Sequence, residues 1–205
     1  MHSMIRRSSP GLTEQTSTVE PPPTRLIDVT VTFLEMTAPP ARFPPLPVHR
    51  QVALLKTRNI PLHFYRYLMD RVGRKWHWVN ALRLTDEELA ESLDLPGREI
   101  RVLYLDGAPA GLFDLKPHLP QSVDLAYFGM MEQAMGQGIG RWFLGAALEA
   151  AWSHRPNTVT VQTCTLDHPA ALPLYQKLGF SPVGQTHELV RPMSFEERSA
   201  SVMRE

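Results

Sequence analysis

Residues 124–141 read DLAYFGMMEQAMGQGIGR and contain the most specific local pattern of the chain. Its first part alternates and is rich in aromatic residues, which predicts a strand. The glycines that follow predict a turn that runs into a helix. Such a turn presents free backbone N–H groups at a helix N-terminus, where the helix dipole favours an anion such as pyrophosphate.

The spacing of the glycines separates this loop from two common phosphate-binding loops. A P-loop needs Lys and Ser or Thr after its last glycine, and here Gly140 is followed by Arg141. A dinucleotide-binding loop needs G-x-G-x-x-G, whereas these glycines fall as G-x-G-x-G. The pattern that fits is Gln-x-x-Gly-x-Gly, with its fixed positions at Gln133, Gly136 and Gly138.

A second motif follows at residues 167–180, which read DHPAALPLYQKLGF. It is similar to N-x-x-A-x-x-x-Y-x-x-x-G-F, with His168 in place of Asn and the other fixed positions at Ala171, Tyr175, Gly179 and Phe180. With a helix and a strand between them, the two motifs together resemble the GCN5-related N-acetyltransferases, the GNAT superfamily.

The resemblance implies an α/β fold with a mixed, mostly antiparallel central sheet flanked by helices. It implies an N-acetyltransferase that uses acetyl-CoA as co-substrate and lets an amine attack the thioester directly in a ternary complex. The alternative from another class is a non-catalytic acyl-CoA-binding module, a degenerate member used in regulation. A third hypothesis, a nucleotide-binding protein, requires the loop to prefer ATP over coenzyme A.

Hydrophobic periodicity, capping patterns and turn residues predict an order of elements that agrees with this fold. The predicted elements are a strand at 26–34, helices at 60–72 and 85–93, a hairpin of 98–105 with 109–115, a strand at 122–130, a helix at 139–153, a strand at 158–163, a helix that opens at 167–169 and closes at Gly179, and a final strand pair at 180–183 and 187–191.

Three segments are predicted. Residues 1–24 are polar and rich in Ser, Thr and Pro, which is typical of a disordered tail. Residues 25–193 form the acetyltransferase domain, and residues 194–205 form a C-terminal tail or a short helix.

Two catalytic residues are predicted. Tyr175, on the second-motif helix, can protonate the leaving thiolate, or it is only a tyrosine of the core or cofactor wall. Asp124 is the only carboxylate in its strand, where alternation places it on one face with Phe128, and it is the first candidate for the general base. Glu132 is the alternative base, and a structural role for either carboxylate stays open.

The loop and the strand before it supply the predicted cofactor contacts, because backbone groups there can bind pyrophosphate and pantetheine amides. These residues are Phe128, Gly129, Met130, Gln133, Ala134, Met135, Gly136, Gln137, Gly138, Ile139 and Gly140, with His168 added from the second motif. Gly140 serves the phosphate or close helix packing, and His168 serves the cofactor or caps its helix. The predicted substrate pocket comprises Tyr65, Trp76 and Trp78, for which a core cluster is the alternative.

Composition narrows the possible partners. Lys and Arg total 21, as do Asp and Glu, so nothing marks a surface for nucleic acid or an anionic membrane. Apolar runs fall short of the roughly 18 residues of a membrane span, no signal peptide is evident, and a single cysteine suits the cytoplasm. The eight histidines show no metal-binding spacing. We expect a small-molecule or peptide amine as acceptor, and a homodimer is possible.

Overall fold

A seven-stranded sheet forms the centre of the protein in the computed structural model, which describes residues 25–46 and 50–204. The strands are β1 Ile27–Met36, β2 Val52–Lys56, β3 Glu99–Leu105, β4 Ala108–His118, β5 Ser122–Met130, β6 Thr158–Cys164 and β7 Ser181–Val190. They lie in the order β2-β3-β4-β5-β6-β1-β7, and only β5 and β6 run parallel. The predicted mixed, mostly antiparallel α/β sheet is therefore confirmed.

Helices cover both faces of the sheet. They are α1 Leu62–Gly73, α2 Asn80–Arg83, α3 Asp86–Leu93, α4 Gly140–Ser153, α5 Ala171–Lys177 and α6 Phe195–Val202. The predicted capping box opens α3: Glu88 N–H donates to Thr85 Oγ1, and Thr85 N–H donates to the Glu88 carboxylate. Within the described chain, every helix is too short or too polar to cross a membrane.

Two hydrophobic cores lie on opposite faces of the sheet. On the first face, Phe143 and Leu144 of α4 pack with Phe113, Leu115 and other residues of the central strands. The second face carries α1 and α3, whose residues pack with Ile100, Val102 and Leu112. We call these the α4 face and the α1 face. Alternation along each strand decides which face a side chain joins.

The parallel pairing of β5 with β6 is short. Its three pairs are Ser122 with Thr158, Val123 with Val159, and Asp124 with Thr160. Beyond them the strands separate, although β5 stays paired with β4 as far as Met130. The backbone of residues 125–130 therefore has an unpaired edge towards β6, and its N–H and C=O groups are available to a ligand.

A β-bulge re-aims the side chains of β5 at this point. Tyr127 pairs with Asp114 and Leu125 pairs with Leu115, which leaves Ala126 without a partner in the register. Leu125 and Phe128 consequently both join the α4 face, while Tyr127 packs on the α1 face. The simple alternation predicted from the sequence, with Phe128 on the face of Asp124, is wrong after the bulge.

Other elements differ from the sequence prediction in extent. The predicted final strand pair is one strand, β7, whose ten residues pair with β1 across a bulge near Phe33. β2 and α2 have no counterpart in the prediction. Residues 195–202 form α6, which the Arg198 to Asp70 ion pair and the Ser201 to Leu82 hydrogen bond join to α1 and α2. The predicted tail at 1–24 lies outside the described residues.

Candidate active site

A cleft of about 610 Å³ opens where β5 and β6 separate. Residues 125–130 of β5 form one side, and residues 162–164 of β6 with the turn into α5 form the other. The glycine loop borders the cleft near α4, and residues 76–80 border it near α1. The cleft thus passes through the sheet and connects its two faces.

Two glycines give the loop its shape. Gly136 has φ +72° and Gly138 has φ +77°, both in the left-handed region that costs other residues about 1–2 kcal/mol. Nothing lies within 4 Å of the position where a Cβ would stand on either of them. The loop therefore offers backbone and open space to the cleft immediately before the N-terminus of α4.

Four residues hold the loop from behind. Ala134 and Ile139 are almost completely buried in the core of the α4 face. Gln133 Nε2 donates to the Pro109 carbonyl at 3.3 Å, and Gln137 Nε2 donates to the Gln133 carbonyl at 2.6 Å. These side chains shape and anchor the loop on the side away from the cleft.

The end of the cleft near the loop is cationic. Arg141 in the first turn of α4 and Lys177 at the end of α5 both line it, and both are exposed. Neither has a carboxylate partner among the described residues. The first turn of α4 also lacks acidic residues, so this end favours an anion.

Tyr175 lines the cleft between β6 and α5. Its ring packs edge-on against Phe128 and Phe180, which fixes its position. Its hydroxyl has no hydrogen-bond partner within the described chain, so its proton is available to a ligand. Burial, helped by the negative charge of Asp167, raises the pKa of Tyr175 well above its ordinary value, which keeps the phenol protonated.

Asp167 contributes a carboxylate to the same wall. One oxygen accepts hydrogen bonds from Thr163 Oγ1 at 2.7 Å and Cys164 N–H at 2.9 Å. The other oxygen faces Trp78, whose indole N–H donates to it at 3.4 Å. Strand, turn and tryptophan therefore fix this carboxylate in the cleft, close enough to Tyr175 for its charge to act on the phenol.

Trp78 occupies space that two glycines leave free. A Cβ on Gly73 would stand 2.3 Å from the Trp78 Cβ. A Cβ on Gly129 would stand 2.5 Å from Val72 Cγ1 and 3.0 Å from the far edge of the Trp78 ring. The ring also packs against Tyr127 at 5.2 Å between centroids. Trp78 is thus seated by local packing as well as by Asp167.

These features, a glycine loop at a helix N-terminus beside a cleft with a phenol and a carboxylate, agree with the family comparison. The profile of the acetyltransferase (GNAT) family matches residues 65–180. The chain belongs to this family. The matched range contains the separated strands, the glycine loop and Tyr175, and no curated protein has a significant match to the chain.

Solved GNAT structures share the fold at low sequence identity. A GCN5-related N-acetyltransferase from Sphaerobacter thermophilus has TM-score 0.58 and 12% identity, over 82% of this chain and 53% of its own. A tandem GNAT protein from the clavulanic acid biosynthesis pathway has TM-score 0.54 and 16% identity, over 80% and 55%. A GCN5-related N-acetyltransferase from Kribbella flavida has TM-score 0.52 and 14% identity, over 80% and 59%. The chain spans little more than half of these proteins.

The GNAT cleft brings together eight of the twelve predicted cofactor residues. Those in its wall are Phe128, Gly129, Met130, Met135, Gly136, Gly138, Gly140 and His168. The wall does not include Gln133, Ala134, Gln137 or Ile139, whose side chains anchor the loop instead. A motif contains residues that contact a ligand and residues that anchor the loop. The sequence alone does not distinguish the two groups.

His168 and Gly140 both line the cleft, and each also has a neighbour within the chain. His168 Nδ1 accepts a hydrogen bond from Ala170 N–H at 3.0 Å, and its ring meets Trp76 edge-on at 5.3 Å. A Cβ on Gly140 would stand 3.2 Å from the flexible Met130 Cε. Each residue can thus meet a ligand in the cleft while it keeps its contact within the chain.

Asp124 is not brought into the cleft of this GNAT domain. The wall begins at Leu125, one residue beyond the last parallel pair of β5 and β6. Thr160 Oγ1 donates to the Asp124 carboxylate at 3.0 Å, and burial raises the pKa of this carboxyl group. Asp124, the first candidate for the base, therefore stands outside the cleft wall, because β5 and β6 are still paired at this residue. Glu132, the alternative base, is exposed and pairs with Lys75 at 2.5 Å.

Tyr65 is also outside the cleft, whereas Trp76 and Trp78 line it as predicted. The Tyr65 side chain is completely buried, and its hydroxyl donates to Asp114 at 2.8 Å. Arg98 completes the cluster with two hydrogen bonds to the Asp114 carboxylate. Tyr65 therefore belongs to a buried polar network of the core, and its assignment to the substrate pocket is corrected.

Sequence reasoning missed several residues of the cleft. Those that bear on its chemistry are Val29, Val31, Arg141, Asp167, Lys177, Glu188 and Val190. Arg141, Asp167 and Lys177 stand inside or beside the two motifs, so a charge count around the motifs would have found them. Val29, Val31, Glu188 and Val190 line the cleft because β1 lies between β6 and β7. No short sequence pattern predicts that strand order.

Proposed function

We propose that this protein is an acetyl-CoA-dependent N-acetyltransferase that lets an amine attack the thioester directly. The observation that supports this most is the continuity of one cleft, from the glycine loop at α4 past Tyr175 and Asp167 to the aromatic residues near α1. Family membership supports the same conclusion.

The residues at the loop end fit the phosphates and pantetheine arm of acetyl-CoA. Gly136 and Gly138 leave backbone and space for a pyrophosphate, and Arg141 and Lys177 supply positive charge beside it. The free edge of residues 125–130 offers backbone groups to the pantetheine amides, as an added strand would use them. Acetyl-CoA supplies the activated acetyl group.

The chain's own groups then handle two protons. Asp167, directly or through a water, accepts the proton that the attacking ammonium must lose, and it takes the place predicted for Asp124. As the new N–C bond forms and the C–S bond breaks, Tyr175 directs its O–H to the departing thiolate sulfur. A backbone N–H from the free edge of β5 stabilises the negative charge that develops on the carbonyl oxygen.

The environment of Tyr175 suits a permanent donor. Because its pKa is raised, the phenol keeps its proton well above neutral pH and can always donate to a thiolate. The same shift makes complete proton transfer less favourable, so its main contribution is a charge-assisted hydrogen bond. We assign the reaction to the cytoplasm, where the chain's one cysteine, Cys164, would remain a free thiol.

The test measures binding and turnover separately. Calorimetry with acetyl-CoA reports binding, and release of free thiol from acetyl-CoA in the presence of an amine panel reports transfer. We expect saturable thiol release that requires both the amine and the intact chain. Tight acetyl-CoA binding with no thiol release for any amine would instead indicate a non-catalytic binding module. Preference for ATP over coenzyme A in a competition titration would reject both.

A further inference from the structure

The half of the cleft on the α1 face is an apolar wall with one carboxylate. We call it the acceptor wall and define it by Val29, Val31, Trp76, Trp78, Glu188 and Val190, all of which line the cleft. Val29 and Val31 are 1% and 7% exposed, so they form the floor of this wall, and Trp76, Trp78 and Val190 supply most of its accessible apolar surface. In the β1–β7 register Val29 pairs with Glu188, which places the carboxylate beside the valines on the same face.

Cations and carboxylates line different parts of the cleft. Arg141 and Lys177 stand at the loop end, whereas the acidic residues in the wall are Asp167 and Glu188. A compound bound between the thioester and the acceptor wall therefore meets negative charge, and the tryptophan rings favour a cation as well. This distribution suits a positively charged acceptor.

Asp167 and Glu188 differ in what they already bind. Three donors hold the Asp167 carboxylate, from Thr163, Cys164 and Trp78. Glu188 is exposed and has neither an ion pair nor a side-chain hydrogen bond within residues 25–46 and 50–204. Of the two, Glu188 is the carboxylate that has its full bonding capacity left for a ligand.

Glu188 and the reacting side of the cleft lie on strands that are not neighbours in the sheet. It lies on β7, and β1 stands between β7 and β6. Neighbouring strands are about 4.8 Å apart, so β7 is roughly 10 Å from β6, whose end carries the reacting side of the cleft. A cation at Glu188 and an amine near Tyr175 are therefore two different groups of one acceptor.

We infer that the acceptor is a small compound with two cationic groups, of the diamine class. One amine is acetylated beside Tyr175 and Asp167, the second stays charged and is held by Glu188, and the apolar part between them lies on Val190 and the tryptophans. The inference rests on the proposed function for the identity of the reaction. The preferential binding of a diamine depends only on the residues of the acceptor wall.

Straight-chain α,ω-diamines of increasing length, each compared with the monoamine of equal carbon number, test this inference. Calorimetry on the full chain saturated with coenzyme A measures their binding, and thiol release measures kcat/KM. We expect the best diamine to exceed its monoamine about tenfold or more in both measurements, because a hydrogen bond to a charged group is worth at least that factor.

Glu188→Gln should remove the advantage of the diamine over its monoamine, so that the two compounds bind and react equally. Glu149→Gln is the matched control, since Glu149 is an exposed residue of α4 on the opposite face of the sheet and should keep the full preference. Equal binding of diamine and monoamine by the wild type, or a preference that survives in Glu188→Gln, would overturn the inference.

Failure of this inference and failure of the proposed function give different results. If amines are acetylated but diamines have no advantage, the acceptor assignment is wrong and the activity stands. If diamines bind preferentially through Glu188 but no amine releases thiol, the activity is wrong and the binding site stands.

Discussion

The two halves of the cleft are built from the chain in opposite ways. The cofactor half comes from two continuous stretches, residues 128–141 and 168–177, and it presents backbone and glycines. The acceptor half collects single side chains from β1, the 76–78 segment and β7. A loop that needs a particular backbone shape restricts the residue types at a fixed spacing, and this restriction is visible as a motif. Side chains that come from distant segments share no such spacing, so no motif marks them.

This difference determines which positions of the cleft tolerate substitution. Gly136 and Gly138 hold left-handed conformations, so most substitutions there are strained. Glu188 and Val190 stand on the edge strand β7 and are exposed or partly exposed, so other side chains fit there without strain in the backbone. The cofactor half is therefore expected to define the reaction and the acceptor half to define the substrate. Variants in each half, and where the halves meet, test this division.

The largest effect is expected for Asp167→Asn, at the junction of the two halves. Loss of the proposed base should lower kcat/KM for every acceptor by about 100-fold or more at neutral pH. The deficit should shrink as pH rises and more of the amine is already deprotonated. Steady-state thiol release across a pH series measures both effects.

Asp124→Asn is the matched control for that variant. Asp124 lies outside the cleft wall, and an asparagine can still accept from Thr160, so its kcat/KM should stay close to that of the wild type. If Asp124→Asn is the damaged variant and Asp167→Asn is not, the base assigned from the structure is wrong and the one predicted from the sequence is right.

Tyr175→Phe should have the next largest effect. Removing a hydrogen bond to a charged thiolate costs about 1.5–3 kcal/mol, roughly 10- to 100-fold in kcat. In the wild type the raised pKa of Tyr175 means that the phenol is still protonated at pH 10, so its ionisation should cause no loss of activity up to that pH. An alkaline loss that follows an ordinary tyrosine, and disappears in Tyr175→Phe, would contradict this environment.

The smallest of these effects is expected within the loop, from Gly138→Ala. Strain of about 1–2 kcal/mol should weaken acetyl-CoA binding roughly tenfold by calorimetry, equally for all acceptors. Gly140→Ala should cost less, because its Cβ meets only the movable end of Met130. A Gly138→Ala variant that changed acceptor preference but kept its affinity for acetyl-CoA would break the division between the halves.

The strands and helices with local signals were predictable. The strand at 122–130 was predicted correctly, although its alternation breaks at the bulge. The capping box from Thr85 to Glu88 predicted the start of α3, and the Asp106-Gly107 turn predicted the hairpin of β3 and β4. β2 has only five residues and lies at the edge of the sheet, and the sequence prediction omitted it. β7 was divided in two because residues 184–186 interrupt its apolar pattern, although pairing with β1 keeps it continuous.

The site residues that are also fixed positions of a motif could be predicted. Tyr175 and the loop glycines followed from spacing, and both lie at the cleft. The position of Asp124 outside the cleft wall was not predictable, because the residue at which β5 separates from β6 depends on tertiary pairing. The burial of Tyr65 was not predictable from its own helix, because its partners are Asp114 of β4 and Arg98, just before β3.

The position of β1 has a consequence for how the chain folds. β1 is made first but sits between β6 and β7, and its Thr30 contacts His187, 157 residues later in the sequence. A strand with both partners so far away cannot pair until almost the whole domain has left the ribosome. Because closing such long loops costs entropy before any contact compensates it, completion of the sheet should be the slow step of folding, and the acceptor half of the cleft should be the last part to form.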